Sequence, residues 1–122
     1  MAGLATLRPL CERTHAALLG PGLMERQSCA LVRALLPLLR GVPVLLDALA
    51  MDVLLARAPH EALSQPLAQP VMITPHAGEM AHLTPRTKGE VQAEPLQAAL
   101  GFARQWQLTV VLKGPTTHVV TP

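Results

Sequence analysis

The 122-residue chain is poor in aromatic residues: Phe102 and Trp106 are the whole set, and tyrosine is absent. Nucleic-acid surfaces combine a basic stripe with aromatic platforms for the bases, and neither half of that pattern is present. Ten Lys and Arg against eight Asp and Glu leave a formal charge of +2, scattered along the chain, so no nucleic-acid partner is expected. Long apolar runs are missing too. A membrane-crossing helix needs about 20 mostly apolar residues in succession, and here Arg, Asp, Pro or Gln breaks every run well before that. Met1–Leu10 has no apolar segment of the kind a secretory signal requires. Cysteine is scarce. Cys11 and Cys29 lack C-x-x-C spacing and an extracellular context, so reduced thiols in a cytoplasmic protein are expected. There is no Walker A loop and no G-x-S-x-G elbow. No Cys or carboxylate completes a zinc set with His76 and His82. His15, His60 and His118 read most simply as surface or strand residues.

Half of the residues are hydrophobic, enough for one compact domain at this length. Short apolar runs recur, each closed by a polar residue or glycine: His15–Gly20, Val42–Asp47, Val71–Thr74 and Leu108–Lys113. Thr117–Thr121 reads as a fifth strand, returning from Lys113 through a short Gly-Pro turn. The runs barely alternate between apolar and polar, as a parallel sheet covered on both faces requires. Between them, Ser28–Arg40 carries Leu31, Leu35, Leu38 and Leu39 at helical spacing, with Gly41 as its stop and Pro37 shortening the last turn. Ala48–Arg57 is rich in helix formers. Pro95 suits a first helical position, and Leu96, Ala99, Leu100, Ala103 and Trp106 mark one face after it. Ala58–Pro70 and Arg86–Glu94 read as loops, the second with room for a helical turn. Strands alternating with helices predict an open, doubly wound α/β sheet.

Ligands in such sheets sit outside the carboxyl ends of the strands, and the glycine and polar residues of this chain gather there. Thr74-Pro75-His76-Ala77-Gly78-Glu79-Met80 follows one strand and opens a helix, with Thr74 as the cap and Pro75 in the first turn. Free amides at that end would favour an anion, with His76 projecting beside them; a plain capped helix start with a solvated histidine fits equally well. Lys113-Gly114-Pro115-Thr116-Thr117 offers an ammonium, a close backbone approach and two hydroxyls to nucleotide phosphates, or is simply a lysine at a hairpin turn. Asp47 either edges the site or caps the next helix. Gly20-Pro21-Gly22 is a tight turn, with or without a ligand against it.

In this order and spacing, Gly20-Pro21-Gly22-Leu23, Asp47-Ala48-Leu49-Ala50-Met51, Thr74–Met80 and Val110–Thr117 resemble the NAD(P)H-hydrate dehydratase family, a branch of the ribokinase-like fold. The T-P-H-x-G-E stretch is the most specific, and the match runs from about Leu10 to the end of the chain. The resemblance implies a lyase that repairs hydrated NADH or NADPH at the expense of ADP or ATP, with magnesium expected on the nucleotide phosphates. It assigns Gly22, Thr74, Pro75, His76, Gly78 and Glu79 to the hydrated nicotinamide nucleotide. Lys113, Gly114, Pro115, Thr116 and Thr117 fall to the adenine nucleotide, and Asp47 to the site edge. No further partner is implied, although a homo-oligomer is compatible with it.

Three departures stand out. Leu49 replaces the second acid of D-A-D-A-L, and Met24 replaces the last glycine of G-P-G-L-G. The family's G-T-G-D loop, which carries the catalytic aspartate, does not occur. The resemblance therefore makes residues 1–122 the central part of a single ribokinase-like domain, a mostly parallel sheet incomplete at both ends, with no catalytic residue of its own. The alternatives are a fragment of a ribokinase-like small-molecule kinase and a non-catalytic nucleotide-binding remnant.

Overall fold

The structure is a computed structural model that describes residues 2–23, 27–55 and 63–122. Met24, His60 and the expected chain over 56–62 lie outside the described residues. The elements are α1 (Ala2–Cys11), β1 (Ala17–Leu19), α2 (Gln27–Leu35), β2 (Val44–Leu46), β3 (Val71–Ile73), α3 (Ala77–Leu83), α4 (Lys88–Ala93), α5 (Pro95–Trp106), β4 (Thr109–Leu112) and β5 (His118–Val120). Two 3₁₀ segments, Leu36–Leu39 and Ala48–Leu54, follow α2 and β2.

The five strands form one sheet in sequence order. Neighbours from β1 to β4 are parallel, and β5 returns antiparallel beside β4. The expected α/β architecture with a mostly parallel sheet is therefore what forms, because short β-branched and leucine-rich runs are separated by segments long enough to cross over. Register then sorts the side chains. Leu19, Leu46, Ile73 and Val110 stand in one row, and Leu46, Ile73 and Val110 are fully buried. Each such side chain contributes about 1.5–3 kcal/mol by leaving water. The opposite face carries Leu18, Leu45, Met72 and Thr109 in register, with Val111 beside Val119. There Leu18 is 61% and Val119 66% exposed. Sequential parallel strands joined by right-handed crossovers bring every connecting helix to the same side. Among the described residues, the helices accordingly cover one face of the sheet and leave an uncharged, apolar face open.

Local differences from expectation have physical causes. The helix expected over Ser28–Arg40 is α helix only to Leu35 and tightens to 3₁₀ at Leu36–Leu39, where Pro37 cannot donate a backbone hydrogen bond. Gly41 stops it with φ +81°. The helix expected from Ala48 is a 3₁₀ segment, entered through Ala48 at φ +49°. The Ala50 amide donates to the Asp47 carbonyl at 3.1 Å, a three-residue spacing that holds the tighter winding. Residues 86–94 are more ordered than a loop. Thr87 and Glu90 form a capping box that starts α4, and the T-x-x-E spacing that signals it is present in the sequence. Helix α1 was not anticipated, yet Leu4, Leu7 and Cys11 pack against the core at helical spacing. No helix among the described residues is long and apolar enough to cross a membrane.

Candidate functional site

The carboxyl ends of β1 to β4 deliver Gly20, Asp47, Thr74 and Lys113 to one rim: Leu19, Leu46 and Ile73 end β1 to β3 in register, and β4 continues two residues past Val110, the partner of Ile73, to Leu112. Past the strands, β3 and β4 stay together for one further contact. His76 and Lys113 form an isolated parallel bridge, and the Lys113 amide donates to the Pro75 carbonyl at 2.8 Å. Pro75 itself is fully buried and lies ahead of the helix cap, outside the first turn where the sequence suggested it. The rim is therefore fixed by backbone hydrogen bonding.

The cap of α3 is His76, where Thr74 was expected. The His76 Nδ1 accepts from the Glu79 amide at 3.1 Å, and the Glu79 carboxylate accepts from the His76 amide at 3.1 Å. This reciprocal box satisfies two donors at the helix start, so the open amide cradle expected for an anion is partly closed by the protein itself. With Nδ1 accepting, the neutral ring carries its proton on Nε2, 3.3 Å from Glu79 Oε1 and exposed at the rim. Gly78 makes room for the ring: a Cβ there would sit 3.2 Å from His76 Cε1.

Asp47 and Lys113, distant in sequence, meet at 3.6 Å. Partial burial pushes the Asp47 carboxyl up, but the nearby Thr74 hydroxyl, the Ala48 amide and the Lys113 ammonium outweigh it and hold the pKa below the ordinary carboxylate value. Thr74 Oγ1 is buried and closes no hydrogen bond of full geometry; its effect on Asp47 is that of a nearby dipole. Both charged groups are partly solvated, so the pair adds little stability. What it does is hold the ammonium at the rim. Asp47 is also clasped from β1. Gly20 has φ +133°, and a Cβ on it would overlap the Asp47 carbonyl oxygen.

Two clefts open on either side of the α3 start. The larger, about 750 Å³, lies between His76–Gly78, the Lys113–His118 turn, and the α4–α5 junction. Lys113, Gly114, Pro115 and Thr116 line it. The smaller, about 410 Å³, is lined by Leu49, Met51, Asp52, His76, Glu79 and His82 among others, with His82 3.4 Å from Asp52. His76 and Gly78 border both clefts. Gly22, Thr74, Pro75 and Thr117 line neither. Gly22 is an exposed turn residue at φ +85° with nothing near the position of a Cβ. The sequence reading did not foresee Lys88, Gln92 and His118 in the larger cleft. It treated His118 as a surface or strand residue, and the capping box that orders α4 was the one available signal for the other two. Among the described residues, no group of three or more His, Cys, Asp or Glu could hold a metal ion.

Fold and rim together describe an α/β chain whose polar chemistry gathers at the carboxyl end of a mostly parallel sheet, beside a nucleotide-sized cleft. Comparison with known proteins narrows this. The family model for NAD(P)H-hydrate dehydratase matches residues 3–122, and the chain belongs to that family. It is 37% identical over 120 residues to a bifunctional NAD(P)H-hydrate repair enzyme of Moorella thermoacetica, covering 95% of this chain and 22% of the relative. It is 36% identical to an ADP-dependent (S)-NAD(P)H-hydrate dehydratase of Xanthomonas campestris, over 88% of this chain and 34% of that one. The crystal structure of the ADP/ATP-dependent NAD(P)H-hydrate dehydratase of Bacillus subtilis, co-crystallised with ATP and Mg²⁺, superposes with a TM-score of 0.71 at 33% identity. That likeness covers 88% of this chain and 36% of the Bacillus protein. The chain thus spans between a fifth and about a third of the length of these relatives.

Proposed function

We propose that this chain forms the nucleotide-facing core of an ADP-dependent NAD(P)H-hydrate dehydratase. The observation that carries the reading is the His76–Lys113 bridge, which supports a shared rim for two nucleotides. The hydrated nicotinamide nucleotide meets His76, Gly78 and Glu79 from the side of the smaller cleft, with the Gly22 turn, Thr74 and Pro75 shaping the rim behind them. The adenine nucleotide enters the larger cleft with its phosphates at Lys113–Thr117. Lys113 supplies the positive charge, Gly114 lets the backbone approach, and Thr116 offers a hydroxyl. Asp47 keeps the ammonium in place until a phosphate competes for it. Magnesium fits this site as a passenger on the phosphates, since among the described residues no group of three or more His, Cys, Asp or Glu could hold it directly.

The chemistry this arrangement suits is phosphoryl activation. The ring hydroxyl oxygen attacks the terminal phosphorus of ADP and AMP departs. The ring C–O bond then breaks with loss of a proton from the neighbouring ring carbon, so that the oxygen leaves as phosphate and the dihydronicotinamide of NADH or NADPH is restored. Such transfers depend on positioning and charge stabilisation. His76 Nε2–H can hold the hydroxyl or carboxamide in line. The resemblance assigns the general base to the aspartate of a G-T-G-D stretch, and the 122 residues contain no such stretch. The polypeptide by itself is expected to bind ADP without turning over, because losing a base and an anion cradle together costs several orders of magnitude in rate. A cytoplasmic setting is part of this reading.

Calorimetry with ADP on the 122-residue chain and on Lys113→Ala tests the reading. Binding that is weakened at least tenfold in the variant is expected, on the scale of a lost charge-assisted contact. Equal affinity for both proteins would refute it. ADP-dependent dehydration of hydrated NADH by the unsupplemented chain would refute the expectation of inertness.

A further inference from the structure

We infer that Lys113 couples the two clefts, with Asp47 as the positioning residue through which it acts: an anion that takes the ammonium releases one wall of the smaller cleft and leaves the other fixed. This rests on the proposed place of a phosphate at Lys113 and goes beyond it. The smaller cleft lies between two walls, and Lys113 reaches the base of both. One wall is the start of α3, with His76 and Glu79. It is tied through backbone, since the Lys113 amide donates to the Pro75 carbonyl at 2.8 Å, and a ligand on the ammonium leaves that bond intact. The other wall is the Ala48–Leu54 segment, which contributes Leu49, Met51 and Asp52. Its entry is Asp47, tied by its side chain to the Lys113 ammonium at 3.6 Å. A phosphate at Lys113 competes for this second tie only.

What the released wall does follows from its backbone. On the strand side Asp47 is held in place: its amide donates to the Leu19 carbonyl at 2.9 Å, and the Gly20 backbone lies close against its carbonyl. Beyond it, Ala48 has φ +49°, a left-handed conformation that a non-glycine residue holds only against a cost. The Ala50 amide then donates to the Asp47 carbonyl at 3.1 Å, closing the first tight turn of the segment. Strain stored between a fixed strand end and an ion pair makes a two-state element. With the pair made, Ala48 stays left-handed; with the pair lost, Ala48 relaxes and the wall moves. The far end keeps its own neighbour on α3, where Asp52 lies 3.4 Å from His82, so the movement falls at the start of the segment, beside Leu49. The Thr74 hydroxyl and the Ala48 amide also face the Asp47 carboxylate and favour its charged form, ready to reclaim the ammonium when the anion leaves. Coupling of this kind is reciprocal: a ligand of the smaller cleft that needs the wall moved raises the affinity for the anion by the same factor.

Amide hydrogen exchange on the 122-residue chain tests the coupling, with inorganic pyrophosphate as the anion and calorimetry to measure its binding. The Ala50 amide reports on one wall. The Met80 amide, which donates to the His76 carbonyl at 2.9 Å, reports on the other. In the free protein, Asp47→Asn and Lys113→Ala are each expected to speed Ala50 exchange about twofold to fivefold, the scale of a partly exposed ion pair, with Met80 unchanged. The double variant should be no faster than either single one, since all three lose the same pair. Saturating pyrophosphate should speed Ala50 to the same extent in the parent and have no such effect in Asp47→Asn, a response that a merely structural Asp47 would not give. The parent arm needs no substitution, so it holds even where a variant disturbs the fold. If Ala50 ignores pyrophosphate while calorimetry shows binding that Lys113→Ala weakens, the coupling is wrong and the phosphate reading stands. Equal acceleration of Ala50 and Met80 would overturn it as well, as a general loosening of the rim. If the parent binds no pyrophosphate, the phosphate reading fails and takes this inference with it.

Discussion

Replacing Gly20 with alanine tests the clasp between β1 and β2 on which the position of Asp47 depends. Gly20 has φ +133°, and an added Cβ would lie 2.7 Å from the Asp47 carbonyl carbon and overlap its oxygen. Backbone in that region costs a non-glycine residue about 1–3 kcal/mol. The overlap is with backbone, so no side chain can swing away. Relief requires β1 and β2 to part where the Asp47 amide donates to the Leu19 carbonyl at 2.9 Å. Leaving such a buried pair unmade costs about 1–3 kcal/mol more. A total loss of about 2–6 kcal/mol follows, set against a typical domain stability of about 5–15 kcal/mol. Gly22→Ala is the matched control. Its φ is also positive, at +85°, but nothing lies within 4 Å of the added atom, so only the conformational penalty of about 1–2 kcal/mol applies. Urea unfolding of the two variants beside the parent measures the difference. If Gly20→Ala costs no more than Gly22→Ala, the clasp on Asp47 does not exist.

Further expectations concern the rim and the sheet. Because the Asp47 carboxyl is held below its ordinary value of 3.8, the folded state favours its charged form; the stabilisation is present above that value and is lost as pH falls through the lower folded pKa. Lys113→Met should move the Asp47 midpoint upward in an NMR titration of the carboxyl carbon, and an unmoved midpoint would show that the ammonium contributes nothing. Ala48 at φ +49° carries left-handed strain, so Ala48→Gly should raise stability by about 0.5–1 kcal/mol in thermal unfolding; a lower melting point would mean the strain is not there. The open sheet face should drive association. Leu18→Lys with Val119→Lys should shift sedimentation of the chain toward monomer, and a parent that is already a monodisperse monomer would count against a sticky face.

Much of the fold was legible in the residues. Near-continuous apolar runs ending in Gly20, Asp47, Thr74 and Lys113 located four parallel strands and the rim at their carboxyl ends, although the same runs suggested a sheet covered on both faces and the structure leaves Leu18 on the outer face 61% exposed. The Thr74–Met80 stretch marked a helix start. Which residue caps that helix was misjudged, since the choice between Thr74 and His76 turns on where Pro75 is anchored, and its carbonyl is held by Lys113 from another strand.

Sequence alone settled the periods, the breaks and the kinds of chemistry available, since those follow from neighbours along the chain. Only the tertiary structure decided that Asp47 faces Lys113, that His76 borders two clefts, and that Gln92 and His118 line one cleft with the turn after Lys113. Those pairings arise from strand order and register, which bring distant residues side by side. The same register decided that one row of leucines and valines is buried while its alternate row faces outward, a distinction that composition cannot express.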